Sequence, residues 1–433
     1  MLMHASGIVR VRLSRGDVPG ATLRTYPSVL LGVIVYEDVF DLIDQWGPEK
    51  VVLVSDRKSG MRGVLVIDNT SRGIGKGGTR MSPTLTVSEV ARLARTMTWK
   101  WAAVDLFHGG AKAGIQGDPR SPHKERILRA FARALANEVP TEYVFGLDMG
   151  LAEEDAAIFV DELNDRGVST GLPRSLGGLP YDKLGMTGFG VAEVTDAAAQ
   201  IVGLDLHGAR VAIQGFGAVG RAAAQRLHKL GAVLVAVSTA DGWIYQEDGL
   251  DVSELTLAAA VYGDTVVRQY ASYSPSATDL LTAPVDVLIP AAREDTVDAT
   301  VAGTTTARLV VEGANLPTTE DARRILHGRG IAVVPDFIAN AGGIVAAAHH
   351  SDALYSPFVV EPAGIFTMIT EKLRGNTIEI LTDSLARGVT PRRAAMDLAQ
   401  SRVLAAMTAR GFGPSLDDES LQQPSPYAAS PQQ

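Results

Sequence analysis

The chain has 433 residues, 46% of them hydrophobic and 21% charged, with a formal net charge of −9 and no cysteine. That length exceeds what a single core serves and sets two domains as the expectation, while the missing cysteines exclude disulfides, thiolate nucleophiles and cysteine-held metals. The acidic balance without a basic stripe argues against a nucleic-acid partner, and the absence of a signal pattern or of an apolar run of about 18 residues argues against membrane spanning or export, which makes the cytoplasm the expected location.

In chain order, Val51-Val52-Leu53-Val54 and Val64-Leu65-Val66-Ile67 read as two strands separated by the turn residues 56–60. A helix follows, opened by Thr86 and Glu89 at capping-box spacing, with Val90, Leu93, Ala94, Met97 and Trp101 on one face. Lys100, three residues after Met97, borders that apolar face. A second helix is predicted over 124–137, and Val144-Phe145 reads as a strand end opening into the loop of Asp148. The glycine-rich stretch 171–190 reads as a hinge. Beyond it, apolar runs alternating with helical patterns predict a parallel sheet, with strands at 211–214, 232–237, 285–289, 309–311 and 331–334 and helices at 367–373 and 391–407. The segment 413–433, rich in Pro, Ser and Gln, reads as a disordered tail.

Three lysines stand in surroundings where lysine is rare: Lys76 before Gly77-Gly78, Lys100 in Met97-Thr98-Trp99-Lys100, and Lys112 in Gly109-Gly110-Ala111-Lys112. Gathered in one partly dry pocket they would bind a carboxylate and depress one another's pKa, supplying an anion site and an amine base together. Gly215-Phe216-Gly217-Ala218-Val219-Gly220 follows a predicted strand and opens a predicted helix, the context in which such a loop holds a dinucleotide pyrophosphate. At the end of the next strand, Ser238 and Thr239 would tolerate a 2′-phosphate and Asp241 would bind a 2′-hydroxyl, so NAD and NADP both remain open.

These motifs, with Lys76-Gly77-Gly78-Thr79-Arg80-Met81, Asp148-Met149-Gly150, Thr187-Gly188-Phe189-Gly190, Glu312-Gly313-Ala314-Asn315, Pro335-Asp336 and Asn340-Ala341-Gly342-Gly343, stand in the order found in the glutamate/leucine/phenylalanine/valine dehydrogenase superfamily, which the chain resembles from about 39 to 407. The resemblance implies reversible oxidative deamination of an L-amino acid to a 2-oxo acid and ammonia with NAD or NADP. It further implies that Lys112 and Asp148 are catalytic, that Lys100 holds the substrate α-carboxylate, and that Thr187, Asn315 and Asn340 line the cofactor cleft. Arg80 is expected to buttress the first domain, and His108 is given no role.

The substrate markers are mixed. A lysine at Lys76 resembles the glutamate branch, whereas Ala347, which stands where that branch has a serine, and the strings Gly77-Gly78-Thr79-Arg80-Met81 and Gly117-Asp118-Pro119-Arg120 resemble the leucine branch. Phe107 and Leu147 stand where the family commonly has proline. The expected architecture is an α/β protein with a substrate domain over 30–183, a Rossmann-type domain over 184–345 and helices over 346–412 packing back on the first domain. L-Glutamate is the favoured substrate, with a branched-chain or aromatic amino acid, or a catalytically silent metabolite-binding relative, as alternatives. The resemblance suggests a homo-oligomer, often a hexamer.

Overall fold

The structure, a computed structural model, describes residues 39–411 apart from 182 and 359, together with a short antiparallel pair, β1 (Val29–Leu30) and β2 (Val33–Ile34). The expected tail over 413–433 lies outside the described residues. The first domain is built from β3 (Lys50–Asp56), β4 (Met61–Asn69), β5 (Gly75–Lys76), β6 (Thr79–Ser82), α1 (Val87–Ala103), β7 (Gly109–Gln116), α2 (Lys124–Ala134), β8 (Tyr143–Val144) and α3 (Glu153–Leu163). Its strands run in the order β3-β4-β7-β5-β8, with β6 also paired to β7; β4 is antiparallel to both its neighbours, β3 and β7, and the short strands are parallel to β7 or to each other.

The segment around Lys112, for which the sequence predicted no strand, is the central strand β7, buried from Gly109 to Ile115. Its glycines and alanines carry little strand propensity, which hid it. They serve packing: a Cβ at Gly110 would lie 1.9 Å from Thr98 Oγ1, and one at Gly114 would lie 2.5 Å from Leu85 and 2.8 Å from Val90. Helix α1 therefore rests directly on β7. Alternation along the strand then turns Gly110, Lys112 and Gly114 toward α1 and sends Ala111, Ala113 and Ile115 into the core shared with Leu128, Phe131 and Phe159 of α2 and α3. Thr86 caps α1 by accepting from the Glu89 amide at 3.2 Å, but the Glu89 side chain turns to Arg80 instead of closing the box. Helix α2 ends at Ala134, short of the expected 137, and α3 was not anticipated.

The second sheet contains β9 (Arg210–Gln214), β10 (Val233–Thr239), β11 (Gly242–Tyr245), β12 (Val287–Pro290), β13 (Leu309–Val311) and β14 (Ala332–Val334), in the order β11-β10-β9-β12-β13-β14. All neighbours are parallel except the edge hairpin β10–β11, and the chain reverses its direction of travel between β9 and β12, where doubly wound sheets bind ligands. Helices α4 (Met186–Ile201), α5 (Ala218–Lys229), α6 (Val252–Tyr262), α7 (Ala299–Thr304) and α8 (Glu320–Gly328) accompany these strands. The glycine-rich stretch over 171–190 is therefore a hinge candidate only in its first part, because residues from Met186 onward begin α4. Its glycines bring helices together: a Cβ on Gly188 would meet Val219 O of α5 at 2.2 Å. The strand expected at 285–289 starts at Val287, since Val285 is still in the preceding turn.

After α9 (Asp336–Ala339) and α10 (Gly342–Ala353), two long helices, α11 (Pro362–Arg387) and α12 (Pro391–Ala409), return to the first domain as expected. Arg402 donates to the carbonyls of Ala102 and Ala103, both at 3.0 Å, and Lys372 donates to Asp105 O at 3.1 Å. Cations from α11 and α12 thus satisfy the orphan carbonyls at the C-terminal end of α1.

The other anchor of α1 is Arg95, 2% exposed, whose Nε donates to both carboxylate oxygens of Asp68 (2.9 and 2.8 Å) and whose terminal nitrogens donate to Asp44 (2.8 Å each). Removing one partner of such a buried group leaves uncompensated charge. Arg95→Ala should destabilise the protein by about 3–5 kcal/mol, read as a lowered urea midpoint.

Candidate active site

Lys112, 5% exposed on β7, places its Nζ 3.2 Å from Asp148 Oδ1. The Asp148 loop is pinned to β6, where the Thr79 amide donates to Gly146 O at 2.8 Å and the Met81 amide to Met149 O at 2.9 Å. Gly78 permits the approach: a Cβ there would fall 2.6 Å from Leu147 O and 2.8 Å from the Asp148 Cβ. Arg80 completes the cluster, its Nε donating to Asp148 Oδ2 at 2.6 Å and its Nη1 to Glu89 at 2.8 Å. The expected buttress is real, but it acts through the site's own carboxylate, a role that the sequence did not reveal. Burial alone would raise the Asp148 carboxyl, yet the Lys112 and Arg80 charges hold it below the usual range. Burial lowers the Lys112 amine, and Asp148 only partly offsets this. The pair thus combines an ionised carboxylate with an amine softened as a base.

Lys100 projects from the last turn of α1 and donates from Nζ to Asn340 Oδ1 at 2.8 Å, while Asn340 Nδ2 donates to Asn315 Oδ1 at 2.9 Å. A hydrogen-bonded line therefore crosses from the first domain to the end of the second sheet. It joins a residue expected at substrate to two expected at cofactor. Asp336 lies below this line; Arg392 donates to it at 2.9 Å, and the Leu316 amide donates at 3.0 Å. The buried Glu312 accepts from the Asp336 amide at 2.8 Å, which fixes the turn that presents Asn315 and Asn340.

The three lysines do not form one mutually repelling cluster. Burial lowers the Lys100 pKa first, Asp336 opposes it, and Lys112 adds a smaller depression. Lys76 is set apart: its Nζ donates to Thr170 Oγ1 at 3.0 Å, and the charge that reaches it is that of Asp352. Burial pushes the Lys76 amine down to about 7. Its neighbour Gly77 is needed for close packing, since a Cβ there would lie 1.8 Å from Ala111 O. The Lys76 charge in turn lowers His108 and His350, after the larger effect of their own burial. Ala347 lies on α10 one turn before His350 and Ser351, and its carbonyl accepts from Ser351 Oγ at 2.8 Å. Neither histidine was singled out as functional from sequence, although His108 directly precedes the Gly109-Gly110 pair.

In the second domain, Gly215 takes a positive φ of 90°, and a Cβ on Gly220 would sit 2.0 Å from Gly215 O. Gly217, the residue before the first turn of α5, has open space where its Cβ would be. Gly215 and Gly220 thus shape the turn, and Gly217 with Ala218 leaves the helix N-terminus accessible to a phosphate. Val219 is half-buried, and Phe216 turns its ring into the core, so only the Phe216 backbone faces the loop. Thr187 opens α4 beside this turn and packs its hydroxyl near Gly343, where a Cβ would come within 2.8 Å of Oγ1. Thr239, expected at the ribose, spends its hydroxyl on Asp264 O at 2.6 Å, and Asp241 is paired with Arg268 at 2.9 Å. Among the described residues there is no His/Cys/Asp/Glu group able to hold a metal, and no helix long and apolar enough to cross a membrane.

A buried amine facing an ionised carboxylate, in a domain tied to a doubly wound sheet with a glycine turn at its switch point, belongs to the class of two-domain dehydrogenases. The sequence profile of the Glutamate/Leucine/Phenylalanine/Valine dehydrogenase family matches residues 177–411, and that of the Glu/Leu/Phe/Val dehydrogenase dimerisation domain matches residues 48–165. An NADP-specific glutamate dehydrogenase of Saccharolobus shibatae is 34% identical over 396 residues, 87% of this chain and 92% of that protein. An NAD-specific glutamate dehydrogenase A of Halobacterium salinarum is 35% identical over 361 residues, 79% of this chain and 80% of the relative. The hetero-hexameric glutamate dehydrogenase of Thermus thermophilus, in its leucine-bound form, superposes with a TM-score of 0.74 at 31% identity, covering 87% of this chain and 93% of that one. The chain belongs to the glutamate/leucine/phenylalanine/valine dehydrogenase family. It is an amino acid dehydrogenase.

Because Gly220 has no room for a side chain, Gly220→Ala should displace the turn and weaken dinucleotide binding by at least about tenfold. A fluorescence titration with NADH and NADPH checks this, and circular dichroism should show the fold retained.

Proposed function

We propose that this chain catalyses the reversible NAD(P)-dependent oxidative deamination of L-glutamate to 2-oxoglutarate and ammonia, as an oligomer of identical chains in the cytoplasm. The observation that carries the choice of substrate is Lys76, a buried amine, 3% exposed, held by Thr170. An amine so placed meets a side-chain carboxylate with a charge-assisted hydrogen bond worth about 1.5–3 kcal/mol. An apolar side chain would offer it no charged partner. Exposed Ile43 and Leu53 on the first domain supply apolar surface for the oligomer.

In this reading Lys100 binds the substrate α-carboxylate, exchanging its bond to Asn340 for one to the ligand. Asp148, ionised between Lys112 and Arg80, takes a proton from the substrate ammonium and prepares the free amine. Held by the Gly215–Gly220 turn and the α5 N-terminus, a dinucleotide would supply the acceptor for the Cα hydride. Lys112 then removes a proton from the water as it adds to the imine carbon and passes that proton to solvent; Asp148 returns its proton to the nitrogen, and as the C–N bond breaks Lys112 takes the proton of the new hydroxyl, so ammonia and the 2-oxo acid leave. Gly215, Gly217 and Gly220, with the α5 N-terminus, are assigned to the pyrophosphate, and Asn315, Asn340 and Thr187 to the nicotinamide end. A second reading, a leucine-type enzyme, is favoured by Ala347, which offers no hydroxyl to a side-chain carboxylate.

Initial rates of reductive amination with 2-oxoglutarate and with 4-methyl-2-oxopentanoate, each with NADH and NADPH, test the proposal. Preference for 2-oxoglutarate is expected, and preference for the branched acid would transfer the assignment to the second reading. Lys112→Ala should lower kcat by about 10²–10⁴-fold while leaving the dinucleotide Kd unchanged in a fluorescence titration. The Lys76 amine, lowered to about 7, loses its charge as pH rises through that value. The KM for 2-oxoglutarate should therefore climb above neutrality, whereas that for 2-oxopentanoate, which lacks the distal carboxylate, should not.

A further inference from the structure

His350 is 1% exposed, and neither its Nδ1 nor its Nε2 has a hydrogen-bond partner. His108 is half-buried with its ring 5.0 Å from that of Trp101, and its Nδ1 also lacks a partner. A buried imidazole without partners forgoes bonds it would make in water, and such orphaned groups are few in native proteins. Both rings lie within reach of the Lys76 charge, and they come from different domains: His108 from the segment entering β7, and His350 from α10. Trp101, against which the His108 ring packs, also donates from its indole to Lys76 O at 3.0 Å. Ala347, one turn before His350, brings no polar atom of its own side chain to this wall.

We propose that His350 and His108 are specificity-determining residues that bind the substrate's side-chain carboxylate together with Lys76. In the neutral form each ring carries one N–H, so the two supply donors where Ala347 supplies none, and the carboxylate accepts from three directions. Lys76 provides charge, and the histidines provide direction. Burial keeps both imidazoles neutral in the free protein, with pKa values lowered to about 4, so they add donors to the pocket without adding a second and third buried cation. Because one donor comes from each domain, the side-chain site is complete only when α10 stands against the first domain. This inference rests on the assignment of Lys76 to a substrate carboxylate.

The test compares kcat and KM for 2-oxoglutarate and 2-oxopentanoate in the full-length enzyme, unmodified and as His350→Leu, His350→Gln and His108→Leu. His350→Leu should lower the ratio of kcat/KM for 2-oxoglutarate over 2-oxopentanoate by about tenfold or more, mainly through KM, and His108→Leu should lower it in the same sense. His350→Gln, which retains an N–H donor and folds without an apolar replacement, should restore most of the ratio. Equal losses on both substrates, or an unchanged ratio in both leucine variants, would overturn the proposal while leaving glutamate turnover in place. A failure of the unmodified enzyme to prefer 2-oxoglutarate would instead overturn the reading on which it rests.

Discussion

The structure of the first domain depends on keeping one amine dry. Lys112 sits on a strand flanked by glycine and alanine, and a charge there is tolerable only because Asp148 lies 3.2 Å away. A buried pair of this kind is weak evidence for stability, because the cost of desolvating both ions offsets much of their attraction. Its geometry is nevertheless defended at every level. The amides of β6 hold the Asp148 loop, Gly78 clears its path, and Arg80 ties the second carboxylate oxygen back to Glu89 at the start of α1. Such investment in a pair of little net stability fits a site kept for chemistry, where an amine softened by burial faces a carboxylate that stays ionised.

How legible this was depended on which residues carried the signal. The second sheet was readable because its strands are rich in Val, Leu and Ile, and its glycine turn stands between a strand and a helix. The central strand of the first sheet was not, because Gly110 and Gly114 serve the close approach of α1 and Gly109 that of Asn69 and Gly73, and the alanines between them carry little strand propensity. The same cause concealed the start of α4, whose Gly188 and Gly190 look like hinge residues until α5 and α10 are seen packed against them. The lysines and Asp148 that the sequence singled out are buried (Lys76, Lys112) or half-buried (Lys100, Asp148). Their grouping was not legible, because whether Lys76 points toward Lys112 or toward Thr170 is a matter of side-chain direction across paired strands.

Arg80 and the two histidines illustrate a different limit. Arg80 was expected only to buttress the first domain, and only the fold brings Asp148, 68 residues later, onto its Nε. His108 and His350 are separated by most of the second domain, and neither stands in a motif that announces a ligand. What distinguishes them is the absence of partners at nitrogen atoms removed from water, which is a property of packing.

The contact between Lys100 and Asn340 shows why both domains must be placed together for the site to exist. Lys100 is delivered by α1, whose C-terminal carbonyls are held by Arg402 of α12, while Asn340 is delivered by a turn that Glu312 and Arg392 secure through Asp336. Arg392 and Arg402 belong to the same helix, roughly three turns apart. Helix α12 therefore steadies the two sides of the Lys100–Asn340 line at once. A shift of α12 along its axis would move the substrate lysine and the asparagine turn together, so separation of the domains must come from elsewhere. Gly171 and Gly177, both at positive φ, lie on the covalent connection between the two domains and are free of that constraint.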